Sequence, residues 1–497
     1  MTEKNQEYEI KLLFPRSRLK DIESFLISKG GLRRQRLQAA YIDTDDFLLA
    51  RSGIALRIRK EGRSWVQTLK VSTGHALERL EHNVPISHTG SGLPQWDLKR
   101  HQHHEAGKAL HKLLEKSNAT DLRLRYETDI YRRAVLVNAR GAKLEYALDV
   151  GFVKALHSDG SELKSEVCEI EIELVSGDKS AVLAHAQNLI KKYKAYLDTR
   201  SKAQRGFNLA TGIQYAPPLK TKALKLDAFD DATIISQVLH SCMNQVLVNA
   251  SEIHAELINF DEHLHQLRVG LRRLKTAMKF MALRQIFFTE TDLRVLDHFF
   301  AQLGAYRDLN FLDEKLLPAL LAAKAPPMTL ASVADLPHPD SCIQSQEVQL
   351  FFVSVLGIIV QAEKNHENQK YLNPLILKEL DKIHKDAKKI ASQFLSVTDE
   401  DRHLLRKKLK RLRYALEFFK DLCHGGRYKE FLKKLEKVAD ALGQYNDICV
   451  ALEKVETLIE QDRNVFFAQG WLKAEQARVL DLSNKELKSF YAEKKAW

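Results

Sequence analysis

The chain is sparing with the residues that staple or interrupt structure. It has five cysteines, Cys168, Cys242, Cys342, Cys423 and Cys449, and no CxxC pair. An odd set of isolated thiols excludes a disulfide scaffold and a zinc ribbon and suits a reducing compartment. Its 21 glycines and 11 prolines are spread along 497 residues, which excludes collagen-like and coiled-coil compositions. Long hydrophobic runs are missing too. The most apolar stretch, residues 350–360, is too short to cross roughly 30 Å of hydrocarbon and reads as a buried helix. The first residues, MTEKNQEYEIK, hold no apolar signal core. No zinc-finger, RNP-type or recognition-helix pattern occurs, so no specific nucleic-acid partner is expected, although nonspecific, salt-sensitive attraction stays open. The expectation is a soluble cytoplasmic protein with no membrane partner. Its oligomeric state is unreadable.

What is present is apolar content for packed cores, 44% of residues, and an excess of base. The net charge is +12 and the sequence pI is near 9.2. The length predicts two to four domains. A basic balance invites nucleic acid, an anionic membrane surface, or an anionic small molecule or polymer. The chain divides near residue 210. Before it, short segments alternate with period two; from about 226, apolar residues recur at helical spacing. Between them lies the Pro-containing run Tyr215-Ala216-Pro217-Pro218-Leu219-Lys220, and a Pro-rich loop over 325–341 splits the helical part. The first 210 residues carry a net +9 and the remainder only +3, so an anion site in the helical half must come from placement.

In the first part the polar face of the strands is charged. Glu7, Glu9 and Lys11 share one strand face. Arg57 and Arg59, Arg79 and Glu81, Glu145 and Asp149, and Glu169, Glu171 and Glu173 repeat the habit. Strands of this kind can close into a barrel lined by carboxylates and cations. Such a lining suits a polyanion together with a hard divalent ion, Mg²⁺ or Mn²⁺, held by oxygen, with Arg and Lys on phosphate oxygens. The histidines of RHQHHEAGKALH (His101, His103, His104 and His111) begin a helix. A metal site is conceivable there, but a solvated helix start is the reading taken, and no role is assigned.

Glu7-x-Glu9-x-Lys11 resembles the signature of the CYTH, or triphosphate tunnel metalloenzyme, family. Its other stations follow in order as Arg57-Ile58-Arg59, Lys70, Arg79-Leu80-Glu81, Arg132, Asp149, the run CEIEIEL and Ser201-Lys202. The resemblance covers nearly all of residues 1–206 and implies an eight-stranded antiparallel tunnel that processes triphosphates with Mg²⁺ or Mn²⁺. It implies that Glu7, Glu9, Glu169 and Glu171 hold the metal and, with Asp149, serve catalysis. Lys11, Arg57, Arg59, Lys70, Arg79, Arg132 and Lys202 would hold the substrate. Glu81 and Glu173 share the same faces.

The helical half repeats itself. HQLRVGLRRLKTAMKFM from His265 and HLLRKKLKRLRYALEFF from His403 share eight of 17 positions. LGAYRD from Leu303 and LGQYND from Leu442 follow at matching distance. On a helix, His265, Arg268, Arg272 and Lys275 form one stripe, and His403, Arg406, Lys410 and Arg413 form its copy. Neighbouring faces carry Leu267, Leu271 and Leu274, and Leu405, Leu409 and Leu412. No acid interrupts either stripe. Like charges at i, i+4 cost stability, so a bound polyanion is a reason to keep them.

These duplicated segments resemble the CHAD domain, which implies two four-helix bundles binding inorganic polyphosphate through His265, Arg268, Arg272, Arg273, Lys275, Arg307, His403, Arg406, Lys410, Arg411 and Arg413. Asn446 departs from Arg307 of the first copy. The expected fold class is α+β in two domains. A CYTH tunnel would occupy residues 1–206, a linker 207–225, and an all-α domain 226–490, with repeats near 226–322 and 346–490. The expected activity is hydrolysis of tripolyphosphate to diphosphate and phosphate, with the helical domain tethering polyphosphate in the cytoplasm or at polyphosphate granules. Removal of the residues after about 210 is then expected to spare turnover. The tunnel family also includes thiamine triphosphatases and adenylate cyclases. A non-enzymatic polyphosphate binder is the alternative of another class.

Overall fold

The structure, a computed structural model, describes every residue except 1–5, 91, 118–120, 140, 157–160, 213–216, 222, 229, 256–259, 285–287, 329, 331–335 and 365–372. Residues 213–216 and 222 of the expected linker, and six positions of the Pro-rich loop, lie outside the described residues.

Period-two segments become strands because one face of each is apolar and packs outward beneath helices, while the other is charged and turns inward. In chain order they are β1 (Gln6–Leu13), β2 (Arg33–Asp43), β3 (Ile54–Glu61), β4 (Ser64–Ser72), β5 (Glu78–Ile86), β6 (Arg123–Ala139), β7 (Ala142–Leu156), β8 (Glu162–Gly177) and β9 (Tyr196–Leu197). The sheet runs β5-β4-β3-β2-β6-β7-β8-β1, and β5 pairs back onto β1, so eight strands close into an antiparallel barrel. The two-residue β9 hangs on β1. The outward residues Tyr8, Ile10 and Leu12 of β1 and Ile170 and Ile172 of β8 are buried, and the helix Lys179–Tyr193 packs on these strands. Opposite, Leu56, Ile58, Leu69 and Val71 pack with Ala106 and Leu110 of the helix Glu105–Ser117.

The helical segments include Asp231–His254, Phe260–Met281, Glu290–Phe311, Gln346–Lys364, Asn373–Ala391, Asp399–Phe418, Gly425–Glu456 and Val465–Tyr491. The last four pack in sequence, with the fourth returning to the first, as an antiparallel four-helix bundle. The apolar faces read from the repeat lie in the core: Leu267, Leu271, Leu274, Leu405, Leu409 and Leu412 are each fully buried. The helix Gln346–Lys364 is longer than the apolar run it contains. At 19 residues it is long and apolar enough to cross a membrane, while Phe351, Phe352, Val355 and Ile359 are buried within the fold.

Packing divides the chain into two compact units. One comprises residues 1–219, 244–263 and 343–360, and the other 220–243, 264–342 and 361–497. The barrel's unit thus takes in two stretches of the helical half, which composition alone did not suggest.

Candidate functional site: a charged tunnel and a basic helical groove

The register of the closed barrel decides which charges meet. Between β1 and β8, Glu9 lies opposite Glu173 and Lys11 opposite Glu171. Glu7 faces Arg79 of β5, Lys70 faces Glu81, Arg132 faces Asp149 and Asp149 faces Glu169. A barrel this small is ordinarily filled by side chains. Here charged groups surround a cavity of about 1180 Å³, lined by Glu7, Glu9, Lys11, Arg57, Arg59, Lys70, Arg79, Arg132, Asp149, Glu171 and Lys202 among others.

Local chemistry sets the position of Lys202. Ser201 caps the helix Lys202–Ala210 by accepting from Gln204 N–H, so Lys202 is the first helical residue. A side chain at Gly206 would come within 2.1 Å of the Tyr126 ring. Glycine therefore lets this helix seat against the sheet, with Lys202 aimed inward. Its Nζ lies 2.6 Å from Glu169 Oε1, 2.9 Å from Glu171 Oε1 and 2.7 Å from Asp149 Oδ2. Arg132 grips both Asp149 oxygens, at 2.7 and 2.6 Å, and also donates to Glu171 at 2.6 Å. Lys11 donates to the Arg200 carbonyl at 2.9 Å and lies 3.7 Å from Glu169.

Asp149, Glu169 and Glu171 bring oxygens within 4.8 Å of one another, and all three are buried. Burial would raise the Asp149 and Glu171 pKa values; Arg132 and Lys202 outweigh it and hold both below the ordinary range. A second group of acids sits nearer β5. Lys70 bonds both oxygens of Glu7, at 2.9 and 2.8 Å, and approaches Glu81 at 2.9 Å. Burial raises Glu7 to about 8 against the pull of Lys70, with Glu9 and Glu81 adding repulsion. Burial and then Glu9 push Glu173 up to about 7. The four expected metal ligands are therefore distributed. Glu169 and Glu171 stand with Asp149, while Glu7 and Glu9 stand with Glu81 and Glu173. The β1–β8 register pairs Glu9 with Glu173 and Lys11 with Glu171. Both sets offer hard oxygen only, the donor chemistry of Mg²⁺ and Mn²⁺. Burial, with repulsion from Glu9 added, lifts Glu7 and Glu173, and a divalent ion would offset both.

Of the basic stations, Arg57 reaches Tyr41 Oη at 3.4 Å, and Arg59 pairs with Glu61 through Nε at 2.6 Å. Arg205 was not foreseen. It bridges Glu169 and Asp198 at 3.2 Å each, and its i, i+3 spacing from Lys202 is the signal that could have found it. His103 is exposed as expected, but His101 and His104 are buried. His101 is fully buried, its Nδ1 2.9 Å from His82 Nδ1, and the His104 ring stacks on His82. Burial and these neighbours push His101 down to about 4.

In the helical unit the two basic stripes converge. Arg268, Arg272 and Lys275 lie over the Phe300 ring at 4.9, 5.3 and 5.6 Å. A side chain at Gly304 would come 2.9 Å from an Arg268 guanidinium nitrogen, so the LGAYRD glycine leaves that guanidinium its place. Burial, then Arg272, lowers Arg268 to about 10, with Arg307 and Arg406 adding to the effect. Burial, then Arg272 and Arg406, pushes Lys410 down to about 6. Arg413 also acts on Lys410, and Asp308 and Asp447 are the acids that face these cations.

The remaining expected contacts are placed differently. Arg273 is 1% exposed, bonded to Glu417 at 2.6 Å and Ser241 at 3.1 Å, and lies over Phe418. It is a core cation rather than a surface one, because Glu417 supplies its counter-charge from the neighbouring repeat. Arg411 is taken by Glu379 at 2.7 Å, and Lys275 by Asp297. His265 is half-buried. His403 bonds Asn446, so the residue that departs from Arg307 serves the histidine.

A closed antiparallel barrel lined by interleaved acids and bases, followed by a mostly helical part with an internal repeat, defines a charged-tunnel protein with an attached helical domain. Family models match at residues 5–207, the CYTH domain, and at 237–456, the CHAD domain. The chain belongs to the proteins that carry a CYTH domain followed by a CHAD domain. It is 28% identical over 213 residues to an inorganic triphosphatase of Haemophilus influenzae, an alignment covering 41% of this chain and 55% of that protein. The chain therefore matches about half the length of that curated relative. Among solved structures, the CHAD domain of Ricinus communis is 24% identical, covering 56% of this chain and 99% of its own, with a TM-score of 0.47. A candidate adenylate cyclase from Bacillus halodurans is 21% identical, covering 40% of this chain and 98% of its own, with a TM-score of 0.28.

Proposed function

We propose that the chain is a divalent-metal-dependent inorganic triphosphatase that hydrolyses tripolyphosphate to diphosphate and phosphate in the barrel, and that its helical unit binds inorganic polyphosphate. The observation that carries the first part is the tunnel wall itself, where acids and bases are interleaved around a cavity. Buried ion arrays of this kind are a poor source of stability, since apolar residues of the same volume would serve as well or better. A function in binding charge accounts for them. The similarity to an inorganic triphosphatase supports the same reading.

In the mechanism, Lys11, Arg57, Arg59, Lys70, Arg132 and Lys202 bind and straighten the phosphate chain and offset its charge, which is most of what phosphoryl transfer asks of a protein. Asp149, Glu169 and Glu171 would hold one ion, and Glu7, Glu9, Glu81 and Glu173 offer oxygen for another. When bound, Mg²⁺ or Mn²⁺ supplies charge neutralisation at the transferring phosphoryl group. The convergent stripes Arg268, Arg272, Arg307, Arg406 and Lys410 support the second part.

The test is phosphate release from tripolyphosphate, ATP and thiamine triphosphate, each with Mg²⁺, with Mn²⁺ and with chelator. Metal-dependent release from tripolyphosphate at the highest kcat/KM is expected. Preference for an organic triphosphate would overturn the inorganic assignment, and turnover unaffected by chelator would overturn the metal.

A further inference from the structure

Lys202 is delivered into the tunnel by a short stretch of chain without regular secondary structure. β9 ends at Leu197, and helix begins again only at Lys202. Lys11 of β1 holds it at two points, accepting from Asp198 N–H at 3.1 Å and donating to the Arg200 carbonyl at 2.9 Å, and its other anchors come from far along the sequence, within the barrel's own compact unit. Leu197 N–H donates to Gln349 Oε1 at 2.8 Å, and Gln349 Nε2 is itself held by the Ile343 carbonyl at 2.8 Å. Thr199 donates twice to Ser251 Oγ, from its backbone N at 3.0 Å and its hydroxyl at 3.1 Å. Ser251 in turn donates to the Leu247 carbonyl at 2.8 Å and is 3% exposed. Its single proton and both lone pairs are thereby used, so its rotamer is determined and with it the backbone at Thr199.

We propose that Ser251 is a positioning residue for the tunnel, holding the 197–201 strap so that Lys202 reaches the phosphate chain. The proposal rests on the tunnel being a triphosphate site. The physical reason is geometric. Lys202 acts at hydrogen-bond range on three carboxylates, and a relaxation of the strap by even ~1 Å degrades such a site out of proportion to the bond lost. Without the Ser251 oxygen, the part-buried Thr199 N–H and hydroxyl lose their acceptor, and the strap shifts to find water or another one. Residues 1–210 alone keep the Lys11 anchors of the strap but lack Ser251 and Gln349, so removal of everything after about 210 is expected to lower tripolyphosphate affinity rather than spare it.

The experiment uses the full chain and a double-mutant cycle. Tripolyphosphate affinity is measured by titration calorimetry without metal for the wild type, Ser251→Ala, Lys202→Gln and the double variant. Ser251→Ala is expected to weaken binding about fivefold in the wild-type background and less than about twofold in the Lys202→Gln background, because the effect travels through Lys202. Equal losses in the two backgrounds would show that Ser251 supports only the fold, and would overturn the proposal. So would unchanged affinity in Ser251→Ala. Wild-type affinity in Lys202→Gln would instead remove the triphosphate reading of the tunnel, and the proposal with it. If circular dichroism shows that Ser251→Ala does not fold, Gln349→Leu, which releases Leu197 N–H, enters the same cycle with the same expected pattern.

Discussion

Replacing Lys410 by methionine tests the helical groove at its most strained charge. Burial, Arg272, Arg406 and Arg413 push this ammonium down to about 6. From an ordinary value near 10.4, that is about 6 kcal/mol between its charged and neutral forms at 1.36 kcal/mol per unit. The folded protein therefore keeps Lys410 neutral above about pH 6, whereas the unfolded chain keeps it protonated until about 10.4. Across that window the unfolded state binds more protons, so stability rises with pH. On the proposed reading, a polyphosphate chain lying between the stripes would reverse the local field and restore the proton. At pH 7.5 only about 3% of the groove carries it beforehand, so binding should take up close to one proton at this site. Affinity should fall by up to tenfold per pH unit above about 6 through this linkage. The assay is calorimetric titration of polyphosphate at pH 7.5 in two buffers of different ionisation enthalpy, repeated from pH 6 to 8. Lys410→Met should bind with no uptake at this site, a flatter pH profile and a higher Tm. Equal heats in both buffers for the wild type, or an uptake that survives in Lys410→Met, would refute the placement of Lys410 at the bound anion.

In the tunnel, Glu7 at about 8 means that the metal-free folded protein holds a proton there which the unfolded chain releases near 4.5. Stability from this group is thus present at low pH and lost as pH rises toward 8. Relative to Glu7→Gln, the wild type should lose Tm between pH 6 and pH 8, with Mg²⁺ restoring it at pH 8 while releasing protons; a difference between the two proteins that is indifferent to pH and Mg²⁺ would contradict this. Arg132→Met strips the bidentate partner from Asp149, which is fully buried. A loss of ~3 kcal/mol is expected in urea denaturation, together with loss of tripolyphosphate turnover. Arg273→Met leaves Glu417 without the partner it has at 2.6 Å, so stability should fall by ~3 kcal/mol with polyphosphate affinity nearly unchanged. Arg272→Ala should do the opposite, lowering affinity and its salt slope. Gly304→Ala forces the Arg268 guanidinium from a point 2.9 Å away, and polyphosphate should then bind about threefold more weakly at nearly unchanged Tm.

What could be read without coordinates was whatever alternates or repeats. Period two put Glu7, Glu9 and Lys11 on one face, and that face is the tunnel wall. The 3.6-residue period separated Leu271 from Arg272, and one is core while the other is half-buried beside Phe300. Partnership was not legible, because it depends on register and on contacts distant in sequence. Nothing local says that Glu9 meets Glu173 rather than Glu171, or that Arg273 meets Glu417, 144 residues away. The histidine run misled for the same reason: polar residues at a helix start read as solvated until β5 places His82 against them. Charge count fails where arrangement succeeds. The +12 of the chain is compatible with any polyanion. Alternation of acid and base inside a closed barrel is compatible with few, because each inward carboxylate is a desolvation cost that an apolar residue would avoid. An interior built this way is informative because the fold does not need it. The same holds for the helical unit, where burial, then Arg272 and Arg406, hold the Lys410 ammonium far below its ordinary range, an arrangement that the packing of the helices does not need.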